Sequence, residues 1–253
     1  GTAMSINTFF VELEREAGLC RTVDVAERMG VTLGNGKPLL RYPSFTLGSM
    51  EVAPLQVAGA YAAFANHGIY CKPHAVKSIA SLDGSTLYSD NGNCKRAVSR
   101  EVADATTAIL TGVIDGSGSR TGANMTLGRD AAGKTGTTDS NAAVWFAGFT
   151  PDLAAAVWTG DPRGGFKHPM QNVTINGTYY DKVHGLSIPG PIWRDAMDGA
   201  LSGDAPSFDL RAKFGLKQAR RGGFNGGDSY SDGQGNDGQG YGGYGGYNRY
   251  YNR

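Results

Sequence analysis

Five stretches of the chain carry the apolar spacing or the start and stop signals of α-helices. They cover residues 5–17, 22–29, 51–66, 99–114 and 191–201. In the first stretch, Ser5 or Asn7 fits the residue that caps a helix N-terminus, and Gly18 fits the position just past its end. The stretch 51–66 is rich in alanine, which indicates a helix packed closely on both sides.

Similar signals mark the ends of three other predicted helices. Thr22 is predicted to cap the second helix and Gly30 to stop it. Pro191 suits the first turn of the last one. Ser99 is predicted to cap the helix 99–114, whose apolar stripe comprises Val102, Ile109, Leu110 and Val113.

The second half of the chain contains apolar runs of strand length. Residues 142–149 and 153–159 predict two strands joined by a tight turn at residues 150–152. Both runs are almost continuously apolar, so we expect this hairpin to be buried on both faces. A third strand carries Lys134. Helices first and antiparallel strands afterwards predict an α+β fold.

Composition divides the 253 residues into two parts near residue 203. From Arg220 onwards the chain is dominated by Gly, Tyr, Asn and Asp and lacks aliphatic residues, so it cannot bury enough apolar surface to fold. We therefore predict a folded domain at 1–202 and a disordered Gly/Tyr-rich tail at 203–253. Arginines and tyrosines in the tail resemble RNA-associating segments, but a net charge of +1 argues against a nucleic-acid partner.

The three cysteines, Cys20, Cys71 and Cys94, show no metal or redox spacing, and the four histidines show no ligand spacing. The sequence therefore predicts no metal site. Residues 76–89 read as a hairpin with Asp83-Gly84 at its tip, flanked by Cys71 and Cys94. Two interpretations stay open: three buried free thiols, or a Cys71–Cys94 bridge, which would imply an oxidising compartment.

The run Lys134-Thr135-Gly136-Thr137-Thr138 carries the clearest chemistry in the chain. A lysine, a hydroxyl residue and a glycine on an exposed strand are typical of serine acyl-transfer enzymes of the penicillin-recognising kind. The ammonium makes the site positive, the hydroxyls can hold a substrate carboxylate, and glycine lets a substrate backbone approach the strand.

A second element lies at Ser5-Ile6-Asn7, at the start of the first predicted helix. On its own a Ser-x-Asn is as well explained by a helix cap. In an acyl-transfer site, however, the serine hydroxyl can pass a proton to a leaving group and the asparagine amide can hold a substrate carbonyl. Two of the three elements expected in such a site are therefore present.

Residues 5 to about 200 resemble the transpeptidase domain of class A, bifunctional penicillin-binding proteins, which cross-link peptidoglycan. The resemblance is carried by SINTFFVEL, by TLGSMEVAPLQVAGAYAAFANHGIYCKPHAVKSI and by AAGKTGTTDSNAAVWFAGFTP. The middle segment separates this family from β-lactamases and small carboxypeptidases. The placement of Cys71 and Cys94 resembles that of actinobacterial members, which implies an exported protein.

The resemblance implies a role for each matching residue. Ser5, Asn7 and Lys134 are the expected catalytic residues, with Lys134 hydrogen-bonded to Ser5. Thr135, Gly136, Thr137 and Thr138 are the expected substrate-binding residues. The hydroxyls of Thr135 and Thr137 would bind the terminal carboxylate of a D-alanyl-D-alanine stem peptide or of a β-lactam, and the backbone N–H of Thr137 would form half of an oxyanion hole. No cofactor is implied.

One departure from the family pattern concerns the nucleophile. No serine in the 253 residues is followed three positions later by lysine, whereas the family's nucleophile lies in a Ser-x-x-Lys upstream of Ser-x-Asn. We expect that motif in a preceding part of the parent protein, which would also anchor it to the membrane outside the cytoplasm. Without the serine and its lysine no acyl-enzyme forms, so the chain alone is expected to be inactive.

D,D-transpeptidation has two alternatives, a hydrolytic enzyme and a non-catalytic domain. A carboxypeptidase or β-lactamase would let water deacylate the enzyme, and a β-lactamase needs a general base, for which we see no glutamate in the family position. A non-catalytic, truncated penicillin-binding-like domain is favoured by the missing Ser-x-x-Lys.

Overall fold

The computed structural model describes residues 1–90, 92–114 and 125–210. Within them the α-helices are α1 (Asn7–Ala17), α2 (Leu19–Arg28), α3 (Pro54–Ala65), α4 (Arg100–Ile114) and α5 (Pro189–Ala200). The strands are β1 (Ile69–Tyr70), β2 (Ser78–Ala80), β3 (Thr86–Ser89), β4 (Lys95–Arg96), β5 (Ala132–Thr137), β6 (Ala143–Phe149), β7 (Ala154–Gly160), β8 (Gln171–Ile175) and β9 (Thr178–Lys182). Short 3-10 helices span Pro43–Leu47 and Asp139–Asn141. The predicted α+β class is confirmed.

A three-stranded antiparallel sheet in the order β5-β6-β7 forms the centre of the fold. Successive side chains of β6 point to opposite faces. Phe146 therefore packs against Trp193 of α5 with ring centroids 4.9 Å apart, while Phe149 packs against Tyr61 of α3 at 6.0 Å. The prediction of a strand buried on both faces is correct for β6. It is wrong for β7, which is only half-buried because its outer edge has no strand partner among the described residues.

Gly148 permits a close contact between the sheet and α5. A Cβ at this position would lie 2.7 Å from the ring of Trp193, whose Nε1–H donates to the Gly148 carbonyl at 3.3 Å. The fully buried indole is thereby both packed and hydrogen-bonded. Trp193, the largest fully buried side chain among the described residues, therefore lies against Gly148, which has no side-chain carbon.

Helix α4 confirms the predicted cap and half of the predicted apolar face, since Leu110 and Val113 are buried. Ser99 Oγ accepts the Val102 N–H at 3.3 Å, as a capping residue does. Val102 and Ile109 are exposed, whereas Asp104 and Thr107 are buried. The buried face is therefore shifted from the predicted one towards Asp104, whose carboxylate lies 2.7 Å from His67 Nδ1 on another segment.

The predicted caps of the first two helices are wrong. The residue before α1 is Ile6, which has no capping side chain, and Ser5 is used in a contact described below. Helix α2 begins directly after Gly18, and Thr22 lies inside it with its hydroxyl donating to the Gly18 carbonyl at 3.2 Å. Gly18, at φ 88°, ends α1 as predicted, since the left-handed region favours glycine.

Cys71 and Cys94 form a disulfide, so the interpretation of three free thiols is wrong; Cys20 is free and exposed. The bridge joins the chain just after β1 to the chain just before β4, and these two strands pair with each other. Between the cysteines, β2 and β3 form the predicted hairpin and are exposed along their whole length. The bridge therefore closes a loop that has little packing of its own.

Residues 204–210, here called the strap, follow α5 and contact the domain. Phe208 packs on Phe149 with centroids 5.5 Å apart, and its N–H donates to Asp130 at 3.0 Å. Asp209 pairs with Arg100 of α4 at 2.8 Å. Packing thus continues beyond residue 202, where composition placed the domain boundary. Most of the predicted tail, from residue 211, lies outside the described residues, and in the described ranges no helix has the length and apolar character needed to cross a membrane.

Candidate active site

Strand β5 presents the Lys-Thr-Gly segment at one edge of the central sheet. The Thr138 N–H donates to the Ala143 carbonyl at 3.0 Å, and Gly136 pairs with Trp145 in the same register. Because N–H groups alternate in direction along an antiparallel strand, those of Thr135 and Thr137 point away from β6. Within residues 125–210 and the other described ranges, no strand pairs with this edge. The edge therefore offers backbone donors for an added strand.

Lys134 joins the two sequence motifs in space. Its Nζ donates to Ser5 Oγ in a short hydrogen bond between residues 129 positions apart. The same ammonium donates to the Thr135 carbonyl and to Thr135 Oγ1, both at 3.2 Å. Burial lowers the pKa of Lys134 from its ordinary value of 10.5. The lysine therefore gives up a proton more readily than a surface lysine does.

Ser5 reaches this lysine through an unusual backbone conformation. Its φ is 52°, in the left-handed region that non-glycine residues rarely occupy. The turn is held by its N–H, which donates to the Thr2 carbonyl at 3.2 Å, and by the Ile6 N–H, which donates to the Gly1 carbonyl at 3.0 Å. Such strain is typical of functional positions, where surrounding contacts compensate for it. Here it aims the hydroxyl at Lys134 instead of at the helix.

The remaining predicted residues divide into two groups. Asn7 is the first residue of α1 and is exposed, close in the chain to Ser5, and Thr137 is exposed at the end of β5. Thr138, in contrast, uses its hydroxyl to accept the Ala143 N–H at 2.8 Å. That contact closes the turn between β5 and β6, so the structure gives Thr138 a structural contact at the end of the strand.

Sequence reasoning missed Gly185, which lies against the site strand. A Cβ at this position would fall 2.6 Å from the Thr135 Cβ and 3.0 Å from the Trp145 carbonyl oxygen. The segment before α5 therefore runs directly over Thr135, and only glycine allows that approach. A glycine in a loop gives no such indication without the fold.

No cluster of three or more His, Cys, Asp or Glu side chains suited to a metal ion occurs among the residues that the structure describes. The positive charge at this site comes from Lys134. Its chemistry therefore rests on hydrogen-bond donors, hydroxyls and the half-buried ammonium of Lys134.

Comparison with known proteins agrees with this geometry. Residues 3–162 match the model of the penicillin binding protein transpeptidase domain. Penicillin-binding protein 1A of Mycobacterium tuberculosis is 34% identical over 221 residues, which are 79% of this chain and 26% of that protein. Penicillin-binding protein 1A of Aquifex aeolicus is 37% identical over 196 residues, which are 77% of this chain and 24% of that protein. The chain thus spans about a quarter of the length of these relatives.

Solved structures give the same result. The penicillin-binding protein PonA1 from Mycobacterium tuberculosis superposes with a TM-score of 0.67 at 30% identity, covering 81% of this chain and 57% of that one. PonA1 in complex with penicillin V superposes with a TM-score of 0.66. Since the family model covers more than half of the residues and includes both motifs joined by Lys134, the chain belongs to the transpeptidase domain family of penicillin-binding proteins.

Proposed function

We propose that this chain forms the substrate-carboxylate half of a peptidoglycan D,D-transpeptidase site, which takes the D-alanyl-D-alanine end of a stem peptide and is inhibited by β-lactams. The observation that carries the proposal is the hydrogen bond from Lys134 to Ser5. It unites a Ser-x-Asn and a Lys-Thr-Gly element that are far apart in the sequence. The complex of the related PonA1 with penicillin V supports the same ligand class.

Strand β5 would bind the substrate as an additional strand. The outward N–H groups of Thr135 and Thr137 suit a peptide backbone lying along the open edge. The hydroxyls of the two threonines and the Lys134 ammonium would hold the carboxylate by charge-assisted hydrogen bonds. The Thr137 N–H would also stabilise the oxyanion of the tetrahedral intermediate, a contribution of about 3 kcal/mol for one such donor.

Ser5 and Lys134 would move the proton during acyl transfer. A lysine with a lowered pKa, hydrogen-bonded to a hydroxyl, lets that hydroxyl receive and return a proton more readily than a surface lysine would. Asn7, at the start of α1, would hold the substrate's amide carbonyl. Thr138 is left out of the substrate contacts, because its hydroxyl binds Ala143.

None of the serines in these 253 residues lies in a Ser-x-x-Lys, which supports a nucleophile supplied from elsewhere. We propose that another part of the parent protein supplies it, outside the cytoplasm and anchored at the membrane. Alone, the chain would bind a penicillin reversibly and form no covalent adduct.

The test combines two measurements on the full chain with a fluorescent penicillin. Denaturing gels and intact mass report covalent adducts, and fluorescence anisotropy reports reversible binding. We expect no adduct, and reversible binding that weakens about tenfold in Thr135→Val and Thr137→Val, each of which removes one hydroxyl. Thr178→Val, an exposed threonine of β9, is the matched control and should leave binding unchanged.

Two results would contradict the proposal in different ways. A stoichiometric adduct would show that a serine of this chain acts as the nucleophile, with Ser5 the first to be tested by Ser5→Ala. Reversible binding that Thr135→Val and Thr178→Val weaken equally, or no binding at all, would remove β5 as the carboxylate site.

A further inference from the structure

A second concave site, separate from the β5 edge in the residues that line it, lies between α2 and the β1–β4 pair. Its volume is 330 Å³, within the range of pockets that hold small ligands. Four cationic side chains line it, together with a single carboxylate: Arg28, Lys72, Lys95 and Arg96, with Glu27. Such a concentration of one sign is notable in a chain with a net charge of only +1.

The one carboxylate in the lining is already occupied. Glu27 Oε1 accepts the Leu39 N–H at 2.9 Å, and its Oε2 lies 3.8 Å from Arg41. Asp90, whose negative charge attracts Lys72, also accepts hydrogen bonds from the Gly92 N–H at 2.7 Å and from the Tyr88 hydroxyl at 3.2 Å. These neutral donors do not remove the two negative charges, but the four cations of the lining still outnumber the carboxylates near them, and Arg41 adds a positive charge beside Glu27.

The four cations differ in what else they do. Arg28 is the last residue of α2 and offsets the partial negative charge of that helix end. Arg96 uses Nη1 to donate to the His67 and Val98 carbonyls, at 3.0 and 3.3 Å, which leaves its other donors available. Within the described ranges, Lys72 and Lys95 form no ion pair. These two lysines and Arg96 supply the field inside the cavity.

The disulfide fixes the two lysines relative to each other. Lys72 directly follows Cys71 and Lys95 directly follows Cys94, so the bridge between the cysteines ties their backbones together. Pairing of Tyr70 with Lys95 and a hydrogen bond from the Lys72 N–H to the Gly92 carbonyl, at 2.9 Å, hold the same wall. The bridge thus fixes the backbones, while the charged side chains themselves are exposed. Cations that line one concave space repel each other, and a bound anion relieves that repulsion.

The buried ring of Tyr70 lines the same cavity and lies against Gly30, where a Cβ would come within 2.1 Å of the ring. The cavity therefore has a rigid aromatic wall and a charged one. Arginine and lysine side chains that line one cavity from β4, from the segment after β1 and from the end of α2 suit an anion with oxygens on several sides. A tetrahedral phosphate has this geometry, whereas a planar carboxylate matches the fork of a single arginine.

We propose that this cavity, centred on Lys72, Lys95 and Arg96, is a binding site for a phosphate group. The phosphate belongs either to a soluble phosphate ester or to the headgroup of an anionic phospholipid. The site needs the Cys71–Cys94 bridge, because the bridge holds Lys72 and Lys95 on one wall.

The test measures phosphate binding by the oxidised full chain at low ionic strength. Calorimetric titrations with inorganic phosphate, glycerol 3-phosphate and acetate, and co-sedimentation with vesicles with or without phosphatidylglycerol, cover the two sources. We expect saturable binding of phosphate but not of acetate, and a loss of at least tenfold in the double variant Lys72→Gln/Lys95→Gln. Its matched control, Lys77→Gln/Lys167→Gln, removes two exposed lysines that do not line the cavity and should bind as the wild type does.

The outcomes distinguish a soluble phosphate ester from a phospholipid headgroup and decide whether the proposal holds. Binding of soluble phosphates supports a phosphate-ester site, and binding of phosphatidylglycerol vesicles alone supports a lipid headgroup, provided that the cavity variant loses it and the control variant keeps it. Reduction of the disulfide should weaken binding about as much as the cavity variant does. Equal binding by cavity and control variants, equal binding of acetate, or no binding of any phosphate would overturn the proposal.

Discussion

Removal of the Cys71–Cys94 bridge gives the sharpest test of how this domain is held together. The bridge closes a loop with a sequence separation of 23, and the hairpin inside that loop is exposed. The chain-entropy relation for a loop of this length gives about 3.4 kcal/mol of stabilisation at 25 °C. The non-covalent ties that remain include the short β1–β4 pairing and hydrogen bonds from Lys72 to Gly92, from Ala97 to Gly68 and from Arg96 to His67. We expect them to compensate for little of the loss.

The experiment compares Cys71→Ala/Cys94→Ala with Cys20→Ala, which removes a free, exposed cysteine and leaves the bridge intact. Urea denaturation followed by far-UV circular dichroism should show a free energy of unfolding lower by about 3 kcal/mol in the double variant and unchanged in the control. Its urea dependence should steepen, because the unfolded chain without the cross-link exposes more surface. A loss below about 1 kcal/mol would refute the loop-entropy reasoning, since the unfolded loop would then be compact without the bridge.

Three further changes have effects that the structure specifies. Phe208→Ala removes the ring that packs on Phe149 and should lower the free energy of unfolding by about 2 kcal/mol in urea denaturation; an unchanged midpoint would contradict this. Glu14→Leu should raise it by about 1–2 kcal/mol, because Glu14 Oε1 is buried without a hydrogen-bond partner among the described residues; a decrease, or the same gain in the exposed control Glu16→Leu, would contradict this. Burial lowers the pKa of Lys134, so between that pKa and 10.5 the unfolded state binds more protons and the free energy of unfolding rises with pH. Lys134→Met should flatten this rise in thermal melts recorded from pH 7 to 10. An equal slope in both proteins would contradict the reasoning.

The sequence predicts best where local pattern and tertiary packing agree. The β6–β7 hairpin was predicted to within one residue, because two apolar runs flank a turn at residues 150–152 and the sheet buries those same runs. The strand carrying Lys134 and the hairpin with Gly84 at its tip were predicted on similar grounds. Local and long-range requirements coincide in each of these elements.

The hairpin of β8 and β9 was missed although its signal is present. Asn176 and Gly177 separate two strand-length runs and both have positive φ, 49° and 79°. Asn-Gly between such runs is a strong indicator of a two-residue hairpin turn. The Asn176-Gly177 dipeptide therefore predicts both strands from the sequence alone.

At the candidate site, in contrast, local sequence pattern does not predict which residues come into contact. Ser5 is a residue type that often caps a helix N-terminus, and no local rule could exclude that role. Its contact with Lys134, on a strand far along the chain, was expected only from the resemblance to penicillin-binding proteins. The buried Asp104 of α4 is a similar case, since its hydrogen bond to His67 depends on how α4 packs against the end of α3. Propensity predicts neither residue, because tertiary partners decide both.

The strap also bears on where this chain can be cut. Composition changes at residue 203, so a shortened protein designed from the sequence would end at residue 202. Such a protein would uncover Phe149, which is fully buried beneath Phe208, and would leave Arg100 without its pairing to Asp209. A truncation made after Leu210 keeps these contacts. The role of the Gly/Tyr-rich segment in any measured property is therefore best judged by comparing the full chain with one ending at residue 210.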